Sequence, residues 1–289
     1  MGQIATSISE QIQKLKDRGM VFDCEEPKIK EHLLDIGYYR LGFYWKPFEI
    51  DENHTFQEGT RFSDVITLYY LDVDLRNILN KYLTRFEINF RTKLVYYVSN
   101  KYKNSPTWFA DDSVVNKEFI TNLNKIYDEK FKINNKIIKN HHKKYINHIY
   151  APAWKTLEFF TFGTNLNLYR NLREKDIKKR ISNAFEIENP EKFQIVIGAM
   201  LELRNACAHG DVLYDFNLPM GLPNFSVFGF VGSDRQSIFA CYKVLNYLVQ
   251  SISVNRQKQL ESEINELLNN HKENGVIQRM IETKMKIIR

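Results

Sequence analysis

Cysteine, glycine and proline are all scarce in this chain, and each scarcity excludes something. Three cysteines (Cys24, Cys207, Cys241) among 289 residues are too few and too scattered for a disulfide framework or a CxxC metal site. A reducing compartment suits them best, so a cytoplasmic location is expected. With 12 Gly, 7 Pro, 43% hydrophobic and 26% charged residues, the composition is that of a globular chain without long disordered segments. Long apolar runs are missing too. No stretch approaches the roughly 18 uncharged apolar residues of a membrane span, and the opening "MGQIATSISEQ" has neither the basic start nor the apolar core of a signal peptide. Gly2 and Thr6 fit the loose myristoylation pattern, which is short enough to arise by chance. No membrane partner is expected.

Familiar catalytic signatures are absent as well. The sequence has no GxxxxGK phosphate loop, no GxGxxG after a strand, no GxSxG elbow and no HExxH. No cofactor and no metal are therefore expected. Strands do not alternate with helices, which argues against a parallel-sheet enzyme, and no period of 20 to 50 residues marks a solenoid.

What the chain does have is aromatic residues and a modest positive balance. Tyr and Phe number 16 and 20, and Lys plus Arg exceed Asp plus Glu by 41 − 35 = 6. Such a balance permits an anionic partner such as a nucleic acid without requiring one.

Helical periodicity runs through most of the sequence. "SISEQIQKLKDRG" has a capping Ser7, apolar Ile8, Ile12 and Leu15, and a stop at Gly19. "PKIKEHLLDIG" repeats the scheme from Pro27 to Gly37. The aromatic "YYRLGFYWKPFEID", interrupted by Gly42 and Pro47, reads as a turn packed onto a core. From Phe62 to about Val98 the apolar spacing is strongly helical, with Ser63 and Asp64 as candidate caps and a bend or break expected near Asp72 to Asp74. Residues 113–149 read as an exposed basic helix or helix pair, "EKDIKKRISNAF" as a basic helix, and Pro190 as the start of an apolar helix. "LPMGLPNFSVFGFVGSD" could hold one small hairpin, and residues 255–286 read as a polar amphipathic tail helix. The expected class is all-α. Its segments are residues 1–60 (N-terminal helices and aromatic turn), 61–254 (the main helical domain) and 255–289 (the tail).

The stretch with most chemical content is "LRNACAHGDVLYD", residues 203 to 215. On a regular helix Arg204 and His209 stand about 140° apart. Either the pair is incidental, or the helix ends between them and the loop brings His209 back; Gly210, suited to a left-handed cap, leaves that open. Arginine offers a permanent fork for phosphate and histidine exchanges protons near neutral pH, so together they suffice for metal-free RNA cleavage. The blander assignment pairs Arg204 with a local acid and lets His209 close the helix end.

"RNACAH" matches the R-x4-6-H signature of HEPN domains, with the Asn that often follows the Arg. "IGYYRLGFYWKPF", "FQEGTRFSDVITLYYLDVDLRNILNKYLTRFEINFRTKL", "PAWKTLEFFTFGTNLNLYRNL" and "LRNACAHGDVLYD" occur in that order. Over residues 10 to 250 they resemble the Abi family, the AbiD/AbiF abortive-infection proteins of bacterial phage defence. The resemblance implies a HEPN-like helical bundle with extra N- and C-terminal helices, RNA as substrate or as a structured noncoding partner, and pairing of two motifs in a homodimer. It casts Arg204 as phosphate stabiliser, His209 as general acid or base, and Asn205 as the group orienting His209. The alternative is a HEPN-fold protein that grips RNA and cuts nothing.

Further candidates are Lys139, Lys143 and Lys144, placed to meet phosphates, and Tyr38 and Arg40, with Tyr39 and Trp45, which could stack on bases. Core packing is an equal alternative for the aromatic patch. Glu87 and Arg91 read as an i, i+4 helix salt bridge. Trp154 reads as a core residue, with Glu158 beside it. His141, His142 and His148 lack acidic or cysteine co-ligands, so a solvated basic face is expected there.

Overall fold

A computed structural model of the chain describes residues 4–225, 228–230 and 232–287, and among these every regular element is helical. The β features are isolated bridges, such as Val21 with Arg61 and Asn217 with Ser237. The chain is all-α, as its patterning leads one to expect. The hairpin expected in 218–234 is absent among the described residues; Ser226, Val227 and Val231 of that stretch lie outside them.

Two compact units are each assembled from discontinuous stretches. The first comprises Met1–Ile78, His209–Phe216 and Ser262–Arg289; the second comprises Leu79–Ala208 and Asn217–Glu261.

Helix α1 (Ile8–Asp17) opens with a capping box. The Ser7 hydroxyl accepts from the Glu10 amide at 3.3 Å, and the Glu10 carboxylate accepts from the Ser7 amide at 2.7 Å. Helix α2 (Glu26–Asp35) carries Pro27 in its first turn and buries Ile29 and Leu33. The aromatic patch then departs from expectation. It is not an irregular turn but helix α3 (Tyr38–Trp45), followed by a 3-10 turn over Lys46–Phe48. Burial of Leu41, Tyr44 and Trp45 outweighs the roughly 1 kcal/mol cost of one helical glycine. Pro47 falls in the first turn of the 3-10 segment, where its missing N–H costs little.

Helix α4 (Phe62–Lys101) runs 40 residues with no break near Asp72 to Asp74. The acid that suggested one is fully buried and satisfied by tertiary partners. Nor do Ser63 and Asp64 cap this helix. The Ser63 amide and hydroxyl donate to Asp23, and Asp64 accepts from the Asn274 side-chain amide at 2.9 Å.

Residues 113–149 form four short helices rather than one or two. They are α5 (Lys117–Thr121), α6 (Leu123–Ile126), α7 (Glu129–Asn134) and α8 (Lys136–Lys144). They are not simply exposed, because Phe119, Leu123 and Ile138 are fully buried. Helices α9 (Ala153–Phe159), α10 (Phe162–Asn171) and α11 (Lys175–Asn183) lead to α12 (Pro190–His209), which begins at Pro190 as expected. The core of the second unit is a cluster of rings. Phe90 of α4 lies 5.8 Å from Tyr169 and 6.3 Å from Phe193, and Phe185 stacks on Phe193 at 5.1 Å. Such offset and edge-on pairs add to what area burial alone provides.

Helix α13 (Ile238–Ile252) starts at Ser237, whose hydroxyl accepts from the Ala240 amide at 3.2 Å. The tail is two helices rather than one, α14 (Val254–Asn269) and α15 (Gly275–Thr283). The Asn274 side chain caps the second by accepting from the Val276 and Ile277 amides. Among the described residues no helix is long and apolar enough to cross a membrane.

Candidate functional site

Helix α12 buries Phe193, Ile197, Met200, Leu203 and Cys207 along one stripe, the spacing of a core-facing helix. It does not end between Arg204 and His209. His209 is its last residue, and Gly210 follows with φ 73°, in the left-handed conformation that glycine adopts without strain. His209 is exposed; Arg204 and Asn205 are half-buried. The boundary between the compact units falls between Ala208 and His209.

Arg204 lies in the second unit beside an acid that the sequence assigned to another partner. Its Nε is 3.4 Å from Oε2 of Glu87, on α4, and the Glu87 side chain is only 13% exposed. The expected Glu87–Arg91 pair does not form. Arg91 instead donates to Glu158 of α9, at 3.0 Å to Oε1 and 3.1 Å to the carbonyl oxygen. Asn205 Oδ1 accepts from the Arg204 guanidinium Nη1 at 3.4 Å. Trp154, expected in the core, is 54% exposed. Local spacing suggested Glu87–Arg91, but both residues have longer-range partners, which spacing cannot reveal.

His209 belongs to the first unit, and the residues just after it are held tightly. Asp72 of α4 is fully buried and accepts from four donors. These are the Leu213 amide at 2.9 Å, the Tyr214 amide at 2.6 Å, the Tyr44 hydroxyl at 2.9 Å and Arg76 Nη1 at 2.7 Å. Arg76 also donates to the Asp211 carbonyl at 2.9 Å, and the Tyr214 hydroxyl to the Phe43 carbonyl at 2.8 Å. Arg40 Nη2 donates to the Gly210 carbonyl. Burial pushes the Asp72 carboxyl up, while the Leu213 amide, the Arg76 charge, the Tyr44 hydroxyl and the Tyr214 amide pull it back. Burial and the Asp72 charge push the Tyr44 hydroxyl up, so it remains a donor. Every polar group of this cluster serves to hold residues 210–214. The i, i+4 spacing of Asp72 and Arg76 on α4 was the one local sign of it.

The two aromatic-patch candidates are thus engaged within the fold. Arg40 holds Gly210, and the half-buried Tyr38 sits edge-on to the buried Trp45 at 4.9 Å. Tyr39 remains 82% exposed. Lys139, Lys143 and Lys144 are all exposed on α8, whose other face buries Ile138 and His141. His141 Nε2 lies 3.2 Å from His148 Nδ1, and His142 Nε2 lies 2.8 Å from the Tyr127 hydroxyl. Burial, and then the nearby lysine charges, push both His141 and His142 below the ordinary histidine range. Among the described residues no group of three or more His, Cys, Asp or Glu could hold a metal ion.

Fold and site together define an all-α protein with a histidine at an exposed helix end and a half-buried arginine paired to a deeper carboxylate. A family model described as Abi-like protein matches residues 31–215, well over half of the chain. The chain belongs to the Abi-like protein family. That match spans α3, α4, the α12 motif and every member of the Asp72 cluster, and the family suggests abortive infection as the setting. No curated protein and no solved structure matches the chain.

Proposed function

We propose that this is a cytoplasmic HEPN-type RNA-binding protein of phage defence that cleaves RNA without a metal through its R-x4-H motif. The observation that carries this reading is an exposed His209 and a half-buried Arg204 and Asn205 at the polar end of a helix with a buried apolar stripe, within a chain of this family. In the reaction the RNA 2′-oxygen attacks its own phosphorus and the bond to the 5′-oxygen breaks. The 2′-hydroxyl proton passes to a base and the 5′-oxygen receives a proton from an acid, leaving a 2′,3′-cyclic phosphate and a 5′-hydroxyl. Arg204 stabilises the charge on the phosphoryl oxygens, His209 moves a proton, and Asn205 orients His209.

One motif supplies one histidine, while the reaction uses both a base and an acid. Two copies related by a two-fold axis would supply both, since such an interface places the same residues of each chain opposite one another.

The test uses purified full-length chain, RNA and a chelator. Cleavage with cyclic-phosphate ends is expected. His209→Ala should lower it by roughly 10²- to 10⁴-fold, the range of lost general acid–base catalysis, while keeping RNA affinity; Arg204→Ala should lower both. A folded His209→Ala chain that cuts like wild type would remove the catalytic reading. If wild type binds RNA and never cuts it, the gripping-only alternative stands. A mixture of the two variants should regain part of the activity if the site is composite, and a chain that stays monomeric with and without RNA would exclude that.

A further inference from the structure

Glu87 is the most informative residue beside Arg204, because of the side of the guanidinium it touches. The carboxylate meets Nε at 3.4 Å, and Nη1 faces only the side-chain oxygen of Asn205 at 3.4 Å. Nη2 has no partner among the described residues. Both contacts are longer than the roughly 2.7–2.9 Å of a charge-assisted hydrogen bond, so they hold the side chain without saturating its donors. Glu87 itself is well covered, whereas the Arg204 side chain is 36% exposed. The natural helical competitor for Glu87 is Arg91, one turn along α4, and that residue is engaged with Glu158 through two hydrogen bonds. Glu87 is thereby left to Arg204.

We infer that Glu87 is a positioning residue for Arg204, gripping the guanidinium from its Nε side so that the Nη edge is presented to a phosphodiester. This rests on the reading of Arg204 as the phosphate-binding group. A guanidinium recognises phosphate through paired N–H donors in a fixed plane. A long unrestrained arginine must be ordered at the moment of binding, whereas one already held by a buried acid is pre-set. The acid has an opposing effect, because its negative charge lies near the incoming phosphate. Replacing it by an amide separates the two effects, since Gln keeps an oxygen acceptor for Nε and loses the charge.

The experiment measures binding of a single-stranded 2′-O-methyl RNA oligonucleotide, which lacks the attacking hydroxyl and so reports affinity alone, by fluorescence anisotropy on the full chain. Glu87→Ala should weaken binding by roughly tenfold, within the range of contact couplings. Glu87→Gln should bind at least as tightly as wild type. In the Arg204→Ala background, Glu87→Ala should change nothing further, because it acts through Arg204. A packing role alone would not produce that non-additivity or the rescue by Gln. Should Glu87→Ala fail to fold, Glu87→Asp retracts the carboxylate by one methylene and should give an intermediate loss. Wild-type or tighter binding by Glu87→Ala or Glu87→Asp, with Arg204→Ala weakened, would overturn this inference and leave the reading of Arg204 standing. Unchanged binding by Arg204→Ala would overturn both.

Discussion

The residues after His209 and the surroundings of Arg204 hold their polar groups by opposite means. In the first unit a fully buried carboxylate, Asp72, takes two backbone amides, a phenol and a guanidinium at 2.6–2.9 Å. In the second, Arg204 is half-exposed, and its contacts to Glu87 and Asn205 are both 3.4 Å long. Buried polar groups at full coordination fix backbone and are costly to disturb. A loosely held cation at the surface contributes little to stability and keeps donors available for a ligand. One region holds backbone through a fully coordinated buried carboxylate; the other leaves a half-exposed guanidinium on two long contacts.

The largest effect expected from this contrast comes at Asp72. Asp72→Ala removes the acceptor of two backbone amides and the partner of a buried guanidinium, and should cost roughly 3–5 kcal/mol in urea unfolding. Arg204→Ala should cost under about 1 kcal/mol while changing RNA affinity. Equal stability losses at the two sites would erase the distinction between them.

Next in size is Arg40→Met, which keeps the apolar stem and deletes the bond to the Gly210 carbonyl. About 1.5 kcal/mol should be lost, as for a hydrogen bond from a charged donor. Unchanged stability with weakened RNA binding would instead place Arg40 among the RNA-contacting residues.

A smaller effect depends on pH. Burial pushes Lys93 down to about 8 from 10.5, while its ammonium donates to the Ala184 carbonyl and sits 3.8 Å from the Phe185 ring centroid. Between those two values the unfolded chain holds the proton that the folded chain has released, so stability should rise as pH climbs through that window. After allowance for partial exposure the rise should be about 1 kcal/mol. Lys93→Met should flatten it, and a pH-independent difference between the two chains would show that the ring and carbonyl keep the ammonium charged.

The smallest stability effect is expected on α8. Changing Lys139, Lys143 and Lys144 together to Glu should move the unfolding midpoint by no more than about 0.5 kcal/mol. The same change should weaken RNA binding and flatten its salt dependence. Unaltered binding at every salt concentration would leave this face merely solvated.

Much of the fold was legible residue by residue. Ser7 announces α1, Pro190 starts α12, and Gly37 and Gly210 follow helix ends with positive φ, because caps and glycine conformations are local properties. The failures share a different cause. Gly42 and Pro47 suggested a turn where α3 forms, and Asp72 suggested a break where α4 continues. In each case burial or a distant partner outweighed the local preference. At the candidate site Arg204, Asn205 and His209 could be picked out, but Glu87 was paired with the wrong residue. A four-residue helical spacing is visible in a sequence, whereas a contact across 117 positions is not.

The sequence by itself determined that this chain is all-α, that the helix from Pro190 would be apolar, and that its polar end would carry an arginine and a histidine. These follow from periodicity and composition, which each segment carries alone. Only the tertiary structure decided that α12 stays helical through His209, that Asp72 anchors the residues beyond it, and that Glu87 pairs with Arg204 while Arg91 goes to Glu158. A buried charge must find partners wherever the folded chain supplies them, and those partners come from segments far apart in the sequence.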